Sequence, residues 1–132
     1  MEPKEAVERA ESAYQSQDVD RIMELFEPEI VMYWNGRKQG EGLAEVREVH
    51  EAMYAGELQD FEIRKTLRAA SGDTIPVEWT TTWIDEDGIR NGGFGGEFWT
   101  MRGDRLREWH AYHAQHELDE ADTEFLTLPP ED

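Results

Sequence analysis

Glu97 stands in the run Gly92-Gly93-Phe94-Gly95-Gly96-Glu97-Phe98-Trp99, among small and aromatic residues. A carboxyl surrounded by aromatic rings loses hydration, which raises its pKa and suits it to donate or accept a proton near neutrality. The plainer reading is a glutamate paired with an inward arginine, or one turned outward by a bulge at the preceding glycines. His50 recurs with Val46, Met53 and Tyr54 at helical spacing. A buried neutral imidazole there can shuttle a proton, oriented by Glu97, or simply fill the core. His113 is a third acid/base candidate. His110, His113, His116 and Glu117 invite a metal reading, but a strand sends His110 and His113 to opposite faces, so no metal site is expected. The glycine run has no GxGxxG spacing and no helix after it to hold a phosphate. No Gly-x-Ser-x-Gly nucleophile signature is present either. The chemistry within reach is cofactor-independent proton transfer.

The elements that must carry these residues follow from periodicity. Ala6, Val7, Ala10, Ala13 and Tyr14 predict an amphipathic helix over about 3–17, with Pro3 tolerated in its first turn. Asp18 suits the N-cap of a short helix presenting Val19, Ile22, Met23 and Phe26, ended by Pro28. Ile30 to Trp34 reads as a strand, and Asn35-Gly36 with Gly40 and Gly42 as a loop. A third helix follows, carrying the His50 stripe and closed by Gly56.

From Phe61 the apolar period drops to two. Four strands are predicted, over Phe61–Ala70, Thr74–Asp85, Ile89–Met101 and Arg105–His113. The turns between them are Ser71-Gly72-Asp73, Glu86-Asp87-Gly88 and Arg102-Gly103-Asp104, each short enough to force antiparallel neighbours. Helices followed by a long antiparallel sheet define an α+β domain over residues 1–116. Residues 117–132 read as an acidic tail, loose or strapped on by Phe125, Leu126 and Leu128. Alternation places Met32 and Trp34 inward, with Val77, Trp79, Thr81 and Trp83 on the heavier face of the long strand. The pocket expected from this pattern is lined by Tyr14, Met32, Trp34, Met53, Tyr54, Trp79 and Trp99, with Glu97 among them.

Charge narrows the partners. The 132 residues hold 31 acidic and 13 basic side chains, a net −18, with Lys only at positions 4, 38 and 65. Such a chain is repelled by nucleic acid and by anionic membrane surfaces. Scarce Lys with surplus Glu fits either a salt-in halophile or an acidic mesophile protein. Five tryptophans argue for a packed core, and the absence of cysteine removes disulfides, thiolate zinc and a cysteine nucleophile. With no secretory segment or apolar run of ~20 residues, a soluble cytoplasmic protein is expected.

The segments QDVDRIMELFEPEIVMYW, GEGLAEVREV and GDRLREWHAYH, in this order, resemble the SnoaL-like, nuclear-transport-factor-2-like superfamily over about residues 6–113. Ketosteroid isomerase, limonene-epoxide hydrolase and polyketide cyclases belong to it. The resemblance implies a cone, in which a strongly curved sheet wraps three helices around an apolar pocket, and a homodimer formed through the outer sheet face. It does not transfer a catalytic set. Counted from Phe26, the isomerase's base aspartate falls on Trp34, its oxyanion tyrosine on Ala10 and its second donor on Glu97. The epoxide hydrolase's Arg and Asp fall near Val77 and Trp79, its final Asp falls on Ala111, and Tyr33-Trp34-Asn35 spells its Tyr-x-Asn one residue out of register. The implied protein is therefore an isomerase, lyase or hydrolase acting on a small hydrophobic molecule without a cofactor, through Glu97, His50 and His113. The alternatives are a non-catalytic module that binds an apolar ligand or dimerises, and an interaction module that uses the tail.

Overall fold

A computed structural model describes residues 2–56, 58–68 and 74–117 of the chain. Its elements run α1 (Pro3–Gln15), α2 (Val19–Met23), β1 (Phe26–Trp34), β2 (Arg37–Glu41), α3 (Leu43–Met53), β3 (Gln59–Leu67), β4 (Thr74–Ile84), β5 (Arg90–Arg102) and β6 (Arg105–Glu117). Six strands form one curved sheet in the order β2-β1-β6-β5-β4-β3, with the three helices on its concave side. This is the expected α+β cone. Among the described residues no helix is long and apolar enough to cross a membrane.

Local chemistry accounts for the helices. Pro3 opens α1, which buries Ala6, Val7, Ala10, Ala13 and Tyr14. Asp18 caps α2, its Oδ1 accepting from the Asp20 N–H at 3.0 Å and the Arg21 N–H at 3.4 Å. Gly42 enters α3 at φ +84°, a conformation that suits glycine, and donates its N–H to the Ile30 carbonyl.

The first sheet edge departs from expectation. Residues 35–42 are a hairpin rather than a loop, turned by Asn35 and Gly36 at φ +50° and +82°. The strand Arg37-Lys38-Gln39-Gly40-Glu41 leaves no periodic trace because it holds no apolar side chain; its ladder to β1 and the buried Gly40 against α3 hold it. β1 also begins earlier, at Phe26. Pro28 does not end a helix; it lies where the β1–β6 register shifts, and a bulge tolerates a residue without an N–H. The β1–β6 pair is parallel, so the sheet is mixed rather than wholly antiparallel. The long excursion through α3 and β3–β5 between these strands permits it. The strand β6 runs on through Glu117, and residues 118–132, with most of the expected tail, lie outside the described residues, as does the Ser71-Gly72-Asp73 turn.

Strand alternation holds along β4, along β5 to Thr100 and along β6 from Trp109, and breaks where the β5–β6 register shifts at Thr100/Met101. The β4–β5 register is unbroken from Thr74 to Ile84, so no bulge at the glycines turns Glu97 outward. On the outer face Phe94, Phe98 and Tyr112 are exposed, while Trp99, Trp109 and Ala111 are buried on the inner one. The glycine run is a packing device. A Cβ on Gly95 would fall inside contact distance of the Tyr112 carbonyl oxygen and 3.1 Å from the His113 Cα, whereas one on Gly96 would meet nothing nearer than 3.9 Å. Gly95→Ala is expected to destabilise the protein by about 2 kcal/mol or more, because backbone must move. Gly96→Ala should stay within about 1 kcal/mol. Urea denaturation of the two variants checks the contrast, and equal losses would refute the close-approach explanation.

Candidate active site

Between the helices and the concave sheet face lies a cavity of about 340 Å³. Its wall is mostly aromatic and aliphatic: Trp34 from β1, Met53 and Tyr54 from the end of α3, Trp79 and Trp83 from β4, Trp109 and Ala111 from β6. Tyr14, Leu58, Phe61, Ile63, Thr81 and Gln115 complete the apolar and polar edges. Three ionisable side chains other than tyrosine face it: Lys65, Glu97 and His113.

Glu97 does not stand alone. The Lys65 ammonium donates to Glu97 Oε1 at 2.7 Å, and both side chains are 2% exposed. The bare carboxyl expected among rings is thus corrected to a buried ion pair, with lysine in place of the arginine of the plainer reading. Aromatic faces surround the ammonium: Nζ lies 4.9 Å from the Tyr14 ring centre, 5.8 Å from Trp99, 5.9 Å from Trp109 and 6.0 Å from Trp79. Each ring presents its negative face to the cation, so the cage offsets part of the lost hydration. Lys65 was legible in principle. It alternates with Phe61, Ile63 and Leu67 on β3, a cation in an otherwise apolar stripe.

His50 sits one layer behind the cavity wall, fully buried. Its Nδ1 lies 2.8 Å from the Val46 carbonyl, which can only accept, so Nδ1 carries the proton. Its Nε2 therefore accepts from the Tyr14 hydroxyl at 2.7 Å. The orienting groups are thus Val46 and Tyr14, not Glu97, and His50 touches the cavity only through Tyr14. Burial, helped by the Lys65 charge and opposed by the Val46 bond, lowers the His50 pKa to about 4. Burial likewise holds Tyr14 well above the usual phenol range, with Tyr54 and Glu97 adding to it. Tyr54 is raised by burial and then by Glu97. Both phenols remain protonated donors.

His113 lines the cavity as expected. Its ring meets Trp34 edge-on at 5.3 Å and lies 6.1 Å from Trp79, and its Nδ1 has no partner among the described residues. His110 points the other way and stacks on Tyr33 at 4.4 Å, as the strand reading requires. Of the expected ligand-binding residues, Tyr14, Trp34, Met53, Tyr54 and Trp79 reach the cavity. Met32 and Trp99 do not; they are core residues, 0% and 1% exposed, and Trp99 lies beneath Lys65. The inward side of a strand supplies both core and cavity, and alternation alone does not separate them.

Comparison with known proteins fits this geometry. The structure resembles the epoxide hydrolase/cyclase-like enzyme SalBIII of pyran ring formation in salinomycin (TM-score 0.75, 19% identity, 88% of this chain and 95% of that one). It also resembles a Mycobacterium tuberculosis LEH-like epoxide hydrolase (0.66, 18%, 85% and 82%). A third likeness is an NTF2-like protein from Exiguobacterium sp. 255-15 (0.69, 17%, 83% and 98%). These likenesses define an NTF2-like cone. The sequence pattern of the SnoaL-like domain matches residues 7–109, and the chain belongs to that family. No curated protein sequence matches it.

His50 gives the site a pH signature. Its folded pKa of about 4 lies below its unfolded value near 6.5, so between these values the unfolded chain binds the extra proton. Stability is therefore highest above pH 6.5 and falls as pH drops towards 4, by roughly 3 kcal/mol from this group. Denaturation at pH 7 and pH 4 should show that fall in the wild type relative to His50→Gln. Parallel losses in the two proteins would refute the buried neutral imidazole.

Proposed function

We propose that this SnoaL-like protein is a cofactor-independent enzyme that moves a proton on a small, largely apolar molecule. Glu97 is its acid/base group, and His113 assists from the same wall. The observation that carries this reading is the Lys65–Glu97 pair at the edge of a cavity otherwise lined by rings and aliphatic side chains. Burying two charges costs hydration that apolar residues of similar volume would not lose, so the pair is better explained by chemistry than by stability. Lys65 engages Oε1, and no other hydrogen bond reaches the carboxylate side chain among the described residues. His113 likewise keeps Nδ1 without a partner. Tyr14 and His50 form a neutral hydrogen-bonded relay behind them, in which His50 positions the Tyr14 hydroxyl.

Two of the structural neighbours are described as an epoxide hydrolase and an epoxide hydrolase/cyclase-like enzyme, which makes apolar epoxides a sensible first substrate class. Opening an epoxide needs a base for the attacking oxygen and a donor for the departing one. Here the positions equivalent to the epoxide hydrolase pattern are Val77, Trp79 and Ala111, so any such reaction runs through Glu97 instead.

A second reading has its own support. Lys65 already occupies one oxygen of Glu97, as in a binding module whose cavity holds an apolar ligand without turning it over. The two readings separate in one experiment. Wild type and Glu97→Gln are incubated with a panel of apolar epoxides and cyclic ketones, with products and α-deuteration in heavy water followed by mass spectrometry. The enzyme reading expects turnover that falls about 10²–10⁴-fold in Glu97→Gln while ligand binding is retained. Binding without turnover in either protein would favour the module.

A further inference from the structure

The environment of the Lys65 ammonium defines what a ligand must bring. An ammonium has three N–H donors. One goes to Glu97 Oε1, and among the described residues no second acceptor receives from Nζ. The remaining hydrogens face the cage of Tyr14, Trp79, Trp99 and Trp109. The surrounding wall adds further donors. Nε1 of Trp79 and Nε1 of Trp109 are buried without partners among the described residues, and indole N–H groups only donate. The Tyr14 hydroxyl hydrogen is already spent on His50, which leaves its oxygen to accept. Glu97 and the phenol oxygens of Tyr14 and Tyr54 are the acceptors at this end of the cavity, against the spare ammonium hydrogens and the two indole N–H groups.

We propose that Lys65 is the polar anchor of the cavity, donating to the carbonyl oxygen of an uncharged, otherwise apolar ligand. Charge selects this class. A carboxylate ligand would lie against Glu97, whose oxygen is 2.7 Å from Nζ, and an amine cation would meet the ammonium. A hydrocarbon leaves the spare N–H groups unanswered, and those buried donors favour any ligand that satisfies them. A carbonyl oxygen, with two lone pairs and no proton, answers those spare donors. This assignment rests on the apolar-cavity reading given above and sharpens it. Lys65 becomes the residue that sets specificity, and the ketone or enone is placed with its oxygen on Lys65 and its carbon skeleton among the rings.

The test uses three probes of one shape: 2-decalone, decalin and decalin-2-carboxylate. Binding to the full-length protein is followed through the indole N–H signals of the cavity tryptophans by NMR. The ketone should bind about tenfold or more tighter than the other two, the value of one charge-assisted hydrogen bond. In Lys65→Met/Glu97→Leu, where both charges go together, the preference for ketone over hydrocarbon should vanish while decalin still binds. Infrared spectra of carbon-13 carbonyl-labelled decalone should show the carbonyl stretch lowered when bound to wild type. That readout and the three-probe comparison decide the matter even if the double variant fails to fold. Equal binding of decalone and decalin to wild type, preference for the carboxylate, or a ketone preference that survives in the double variant would each overturn the anchor. Decalin binding without ketone preference would refute the anchor and leave the apolar cavity standing. If no probe binds, both fall.

Discussion

A lysine and a glutamate share one buried hydrogen bond at the centre of this protein, and much of the interior is arranged around it. Lys65 and Glu97 come from β3 and β5, strands separated by β4 in the sheet. Both side chains point inward, and the long lysine chain reaches past β4, where Lys65 pairs with Trp79 and Glu97 with Val77. Beside them on β5, Gly95 lies so close to β6 that no side chain fits there. Once the two charges are paired, their neighbours need to be neutral. His50 and Tyr14 meet that condition by sharing a hydrogen bond and by burial. A protonated imidazole there would oppose the Lys65 charge, and an ionised phenol would oppose Glu97. The aromatic rings complete the arrangement, since their faces accept the cation without competing for its hydrogens as strongly as oxygen would.

The net charge of −18 belongs to a different part of the molecule. Among the described residues the buried carboxylates are Glu27 and Glu97, and each lies beside a base, Arg102 for the first and Lys65 for the second. The other acidic side chains with described burial, from Glu2 to Glu108, are at least partly exposed, on helix flanks, turns and outer strand positions. The described acidic side chains thus form a charged coat around an interior that holds two carboxylates. The cavity, with its two charges cancelling, is insulated from it.

Much of the fold was legible because burial on one side leaves a periodic trace. The stripe through Ala6, Ala10, Ala13 and Tyr14, the Asp18 cap and the alternation of Val77, Trp79, Thr81 and Trp83 each reported the side that became buried. The strand Arg37–Glu41 left no trace, since an exposed edge is held by backbone hydrogen bonds that any polar residue can make. The site was half legible. Glu97 and His113 were placed on the inward face by alternation, but face does not reveal partner. Lys65 is 32 residues from Glu97 in sequence, and they meet only because the sheet sets β3 and β5 on either side of β4. Met32, Trp99 and His50 show the converse. Their faces were right, yet depth along the cone put them in the core behind the wall.

The central claim is that the Lys65–Glu97 pair is kept for what it does in the cavity and not for holding the fold together. A double-mutant cycle on unfolding free energy tests it directly, using Lys65→Met, Glu97→Leu and the two combined. Each single variant leaves a buried charge without its partner and should lose about 3–5 kcal/mol, while the double variant should return to wild-type stability or exceed it. A double variant as unstable as the sum of the singles would contradict the account and make the pair a structural staple.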